Sequence, residues 1–198
     1  MRARLRRSEL AAVELLARQR DLSIYDFAHL DVRRLEYPFD VLFDSLERYS
    51  ATAGVDLSAT LCEGAPLPDG LTVALGGRYL VLYNDRVDNR ARLQFTIAHE
   101  IGHICLGHDE GDARAEREAN AFAASLLMPA AAIRYLERLA GHAADAEMLR
   151  ANFNVSQAAA QARLSELETE RAAARPLAGA ETLLLMKLFG RVGRAEER

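Results

Sequence analysis

The chain has two cysteines, Cys62 and Cys105, a single lysine, Lys187, and no tryptophan in 198 residues. Two cysteines cannot build a disulfide framework, so both are expected as reduced thiols, Cys105 as a core side chain. No apolar run approaches the ~20 residues needed to span a bilayer. The basic opening Met1–Arg7 is followed by Ser8 and Glu9 rather than by an apolar signal core, which makes the cytoplasm the expected compartment. A strong charge of either sign is also missing. The balance of 25 basic against 29 acidic residues leaves −4, which offers no general footprint for nucleic acid or an anionic membrane. Arginine stands in for lysine, a bias of the kind a GC-rich genome imposes, and it carries no functional signal.

What the chain does contain is His99-Glu100-Ile101-Gly102-His103. Residues at i and i+4 share a helix face, so His99 and His103 can both reach one tetrahedral zinc ion at about 2.0–2.1 Å, with Glu100 beside them as general base. Apolar residues at 93, 95, 97, 98, 101, 104 and 106 predict a buried helix over roughly 90–106. Two histidines and a glutamate on such a helix need a reason to be there, since unpaired polar groups are costly, and metal coordination supplies one. Gly102 is expected to keep the helix surface open where a substrate strand could pass.

A third protein ligand is required. The pattern His-Glu-x-x-His-x-x-Gly-x-x-His would place glycine at 106 and histidine at 109, whereas the chain has Leu106, Gly107, His108 and Asp109, so His108 is disfavoured. The next helical segment, 116–124, offers Glu116 and Glu118. They lie about 160° apart around a helix and cannot both face the metal. Glu116 is favoured because Asn120, one turn on, could bond the free ring nitrogen of a zinc histidine, while Glu118 reads as a solvated surface carboxylate. In a site of this kind the ion polarises the scissile carbonyl and acidifies a water, and Glu100 moves the proton. Tyr83, Tyr135, His142 and Arg92 are candidate oxyanion donors among which the sequence does not choose. The same ligand types also hold Mn²⁺ or Fe²⁺.

The run Phe95 to His103, followed by Glu116-x-x-Ala119-Asn120-x-Phe122-Ala123-Ala124-x-Leu126-Leu127-Met128-Pro129, resembles the ImmA/IrrE family of bacterial zinc metallopeptidases. Tyr37-Pro38-Phe39-Asp40, Gly77 to Asn84, Phe153 to Gln157 and Arg163-Leu164 extend the resemblance over roughly 37–168. It implies an α+β, mostly helical, zincin-like metallopeptidase. It also implies a protein substrate, namely a helix-turn-helix transcriptional repressor cleaved to relieve repression in a mobile element or after DNA damage. A non-catalytic interaction module with the same fold, binding a regulator or a toxin, is the alternative. An intact ligand set with Glu100 argues against it.

Along the chain, helices are expected over 8–20 and 39–52, the second from Leu42, Leu46 and Tyr49. Strands 71–75 and 78–83, joined at Gly76-Gly77, make a small antiparallel sheet whose free edge could take an extended substrate. Helices near 90–106 and 113–127 follow, then Pro129 as a helix opener. The expected division is a metallopeptidase unit over 1–140 and a helical tail over 141–198 packing on it. Within the tail, two helices split at Asn154-Val155, with Ser156 as N-cap, resemble a helix-turn-helix. Asp145, Glu147, Glu166, Glu168 and Glu170 outnumber Arg150, Arg163 and Arg171, so direct DNA binding is not expected. The apolar run Leu183 to Phe189 is expected to be buried in the fold or in a partner.

Overall fold

The computed structural model describes residues 2–62, 67–87, 89–109, 111–172 and 178–190. Of the residues singled out above, the side chains of Cys62, Glu170, Arg171 and Phe189 lie outside the described part. Helix α1 (Arg2–Arg18) is followed by two short 3-10 turns, then strand β1 (Val41–Ser45) and helices α2 (Leu46–Ala53) and α3 (Leu57–Cys62). A hairpin of β2 (Gly70–Leu75) and β3 (Arg78–Tyr83) leads into α4 (Arg90–Leu106) and α5 (Ala113–Leu127). The chain continues through α6 (Ala130–Ala140), α7 (Ala146–Phe153), α8 (Gln157–Ala172) and α9 (Gly179–Gly190).

The hairpin turn is built by Gly76 and Gly77, both at positive φ (54° and 87°), the conformation that matches the twist of the strands it joins. The helix expected over 39–52 is half strand. Val41–Ser45 pairs in parallel with Tyr79–Tyr83 of β3, so the sheet is mixed and three-stranded, in the order β1-β3-β2. Leu42 has the helical spacing to Leu46 and Tyr49 but is 61 % exposed, while Val41 and Phe43 pack against the main core. Strand pairing overrode a short periodicity, as it readily does for β-branched and aromatic residues. Ser45 then caps α2, its hydroxyl accepting from Arg48 N at 3.1 Å.

α4 begins at Asn89, whose side chain accepts from Arg92 N at 3.1 Å, and ends at Gly107 in the left-handed region (φ 67°). α5 begins at Asp112, which accepts from Arg114 N and Ala115 N. Gly102 does not face a groove; it faces α5. A Cβ there would lie 3.2 Å from the Ala119 backbone and 3.1 Å from the Phe122 ring, so the glycine is what lets the two helices approach. Ile97, Ala98, Ile101, Ala119, Phe122, Ala123 and Leu126 are buried around this contact. Cys105 packs against the same core, and burial pushes its thiol up to about 12.

The later helices share this core. Leu149, Phe153, Val155, Ala160, Leu167, Leu184 and Leu188 join one cluster with Leu16, Ile97 and Phe122, and Phe27 meets Phe153 edge-on at 5.7 Å. Ser156 caps α8 by accepting from Ala159 N, and Asn154 breaks the chain with φ 48°. Buried Arg163 donates to the Met128 carbonyl at 3.1 Å, and Lys187 donates to the carbonyls of Ala17 and Gln19 at the C-terminal end of α1. Within α9, Leu184 and Leu188 are buried but Leu183 and Met186 are exposed. Among the described residues no helix is long and apolar enough to cross a membrane.

Gly102→Val would force side-chain atoms into the Ala119 backbone, which cannot move aside as a flexible side chain could. The expected loss is about 1–3 kcal/mol of stability, read as a lower urea midpoint at unchanged slope.

Candidate metal centre

The i, i+4 spacing on α4 sets the His99 and His103 rings side by side, with their Nε2 atoms 3.0 Å apart. From α5, the Glu116 carboxylate reaches both: Oε2 lies 3.3 Å from His99 Nε2 and Oε1 3.5 Å from His103 Nε2. Atoms each ~2.0–2.1 Å from one tetrahedral centre are about 3.3 Å from one another, so this donor set has the size and chemistry of a zinc site. These three residues form the metal-competent cluster among the described residues. On the far side of His99, Asn120 Oδ1 lies 3.0 Å from Nδ1. With the amide oxygen there, Nδ1 carries the proton and Nε2 presents its lone pair to the cluster. Burial lowers the proton affinity of His103, as do neighbouring His99 and His108, against the pull of Glu116.

Glu100 lines the same groove as this cluster and reaches toward the sheet. Thr72 Oγ1 on β2 donates to its Oε2 at 2.6 Å. Burial holds the carboxyl above the usual carboxylate range, while the Thr72 hydroxyl and His99 pull it down and Glu116 pushes it up. Gly70, on the same face of β2 as Thr72, lies so close to α4 that a Cβ would sit 2.6 Å from Thr96 Cγ2 and 3.0 Å from Glu100 Cγ. The strand therefore passes directly over the base. Between β2 and α4 runs an open groove of about 580 Å³, walled by Gly70, Leu71 and Thr72 on one side and by His99, Glu100, His103 and Glu116 on the other.

The four candidate oxyanion donors do not line this groove. Tyr83 is buried, its hydroxyl accepting from Arg33 Nη1 at 3.0 Å. Arg92 pairs with Asp69 at the groove's end. His142 sits exposed just past α6 and bonds the Ala143 carbonyl, and Tyr135 lies on α6. Glu118 is not a solvated carboxylate: it is 6 % exposed, with Arg114 Nε donating to Oε1 at 2.9 Å and His108 Nε2 3.2 Å from Oε2. The Arg114 guanidinium holds it below the usual carboxylate range. Sequence reasoning missed Thr72 and the contact between His108 and Glu118. The one local signal was the i, i+4 spacing of Arg114 and Glu118, since Thr72 meets Glu100 from 28 residues away.

A small mixed sheet laid over a helix that carries His-Glu-x-x-His, with a carboxylate from the next helix brought to the same point, defines a zincin-like α+β domain. The family model Peptidase_M78, the IrrE N-terminal-like domain, matches residues 62–165, just over half of the chain, and the chain belongs to this family of metallopeptidases. No curated protein matches the chain.

Thr72→Val keeps the side-chain shape but removes the donor to Glu100. Metal content should be unchanged, stability should drop by about 1–2 kcal/mol, and any peptidase turnover should fall about tenfold, read by steady-state kinetics beside metal analysis.

Proposed function

We propose that the protein is a zinc-dependent, site-specific endopeptidase whose substrate is a helix-turn-helix transcriptional repressor, cut in the cytoplasm to relieve repression in a stress or DNA-damage response or in a mobile element. One observation carries the peptidase part. The ring nitrogens of His99 and His103 and the Glu116 carboxylate converge on one point in a groove, with Glu100 one residue along the same helix. The repressor comes from the family resemblance borne by Phe95–His103 and Glu116–Pro129.

In this reading His99, His103 and Glu116 hold the ion, and Asn120 orients His99. Zinc bound there would polarise the scissile carbonyl and acidify the attacking water, a service that Mn²⁺ or Fe²⁺ could also supply. Glu100 takes the water proton on its carboxylate and delivers it to the leaving amine nitrogen. Thr72 holds that carboxylate toward the groove. Among the described residues strand β2 lies at the sheet's edge, paired with β3, so an extended substrate segment can add to its other side through main-chain hydrogen bonds. Gly70 and Thr72 keep that edge close to the base.

The division into a metallopeptidase unit over 1–140 and a helical tail over 141–198 belongs to the same reading, with the tail as a buttress that shares the core. Burial of Arg163 removes one of the tail's few basic groups from any phosphate, which supports a structural role over DNA binding.

The test is zinc content by mass spectrometry together with cleavage of the repressor encoded beside the protein. Wild type should carry one zinc per chain and cleave in a zinc-dependent way, and Glu116→Ala should lose the metal. Glu100→Gln should keep zinc and lose turnover by about 10²–10⁴-fold. A Glu100→Gln protein that cleaves at the wild-type rate would sink the catalytic assignment, and zinc bound without cleavage would favour the interaction module.

A further inference from the structure

We propose that His108 and Glu118 are positioning residues that fix the ring tautomer of His103 through a relay of hydrogen bonds. The proposal rests on the reading of His103 as a zinc ligand. A histidine that binds metal through Nε2 must carry its proton on Nδ1, and something must hold it there. His99 has the Asn120 oxygen for this. His103 has instead a second imidazole: His108 Nδ1 lies 3.2 Å from His103 Nδ1.

Two ring nitrogens bond only if one carries the proton and the other does not, and the choice is made at the far side of His108. There Nε2 lies 3.2 Å from Glu118 Oε2. A carboxylate only accepts, so the His108 proton sits on Nε2 and its Nδ1 is a bare lone pair. That lone pair accepts from His103 Nδ1–H, which leaves His103 Nε2 free to face the cluster. Arg114 Nε, donating to the other Glu118 oxygen at 2.9 Å, anchors the start of the relay. The side chains of His108 and Glu118 are each 8 % exposed, so bulk water is poorly placed to substitute for either.

The backbone makes this possible. Gly107 in the left-handed region turns the chain back on itself, and His108 N bonds the His103 carbonyl at 3.0 Å, which brings its ring behind His103 rather than beside the metal position. His108 thus addresses the nitrogen of His103 that faces away from His99 and Glu116, and it is not a fourth ligand.

The isosteric change Glu118→Gln should reverse the relay. Arg114 retains the amide oxygen, the amide N–H turns to His108 Nε2, and the His108 proton moves to Nδ1. His103 must then accept at Nδ1 and carry its proton on Nε2, where the metal belongs. The experiment uses the full chain, with Zn²⁺ titrated in competition with a chelator and ¹⁵N NMR of the imidazoles in the metal-free and the zinc-loaded protein. Wild type should show His108 protonated on Nε2 and bare on Nδ1. Metal-free Glu118→Gln should invert that pattern, and the variant should raise the zinc dissociation constant about tenfold, with the far-UV spectrum unchanged.

A wild-type His108 protonated on Nδ1 overturns the proposal and needs no variant, so a folding defect in Glu118→Gln leaves the test standing. Glu118→Gln binding zinc as tightly as wild type also overturns it. A wild type that takes up no zinc overturns instead the metal reading beneath it.

Discussion

The close crossing of α4 and α5 at Gly102 and Ala119 is the constraint on which the site depends. The histidines belong to one helix and Glu116 to the other, so their separation is set by how near the two axes come. A side chain at 102 would meet the Ala119 backbone, and glycine is what allows the imidazoles of α4 and the Glu116 carboxylate of α5 to approach within about 3.5 Å. The alanines at 115, 119 and 123 make the same concession from the α5 side. Around this seam the packing is dense, with Ile97, Ile101, Phe122 and Leu126 fully or almost fully buried, so the spacing is held by many contacts rather than by the polar groups themselves.

Three glutamates stand near the histidines, Glu100 on α4 and Glu116 and Glu118 on α5, and each has different surroundings. Glu100 faces the sheet and is held by Thr72. Glu116 faces both imidazoles and is half exposed, as a group must be if it is to meet an ion that arrives from solvent. Glu118 is turned inward, neutralised by Arg114 and set behind His103 through His108. The chemical type is the same in all three. What differs is burial and the nearest donor, and in the proposed reading these assign one carboxylate to take up a proton, one to offer a lone pair to a cation and one to orient a neighbour.

Much of the fold is legible in residue pattern. The apolar spacing over 90–106 and 113–127 marks both site helices, the double glycine marks the hairpin, and Ser156 marks the start of α8. Where the reading went astray, a distant partner had intervened. Val41–Ser45 carries half of a helical pattern, but pairing with β3 recruits it as a strand. Gly102 looked like an opening for substrate because a sequence cannot say which side of a helix its neighbour occupies. Glu118 looked solvated because it sits among charged residues, yet the turn at Gly107 folds His108 over it.

The sequence by itself determined what a 3.6-residue period can determine: that His99 and His103 share a face, that Glu116 and Asn120 share another, and that Glu116 and Glu118 point apart. These relations are local, and backbone geometry enforces them wherever the helix lies. Only the tertiary structure decided that the face of Glu116 and Asn120 meets the face of the two histidines, that Thr72 reaches Glu100 and that His108 backs His103. Those distances depend on the packing of Gly102 against Ala119 and on the register of β2 beside β3, each a sum of many side-chain contacts between remote parts of the chain that no local spacing records.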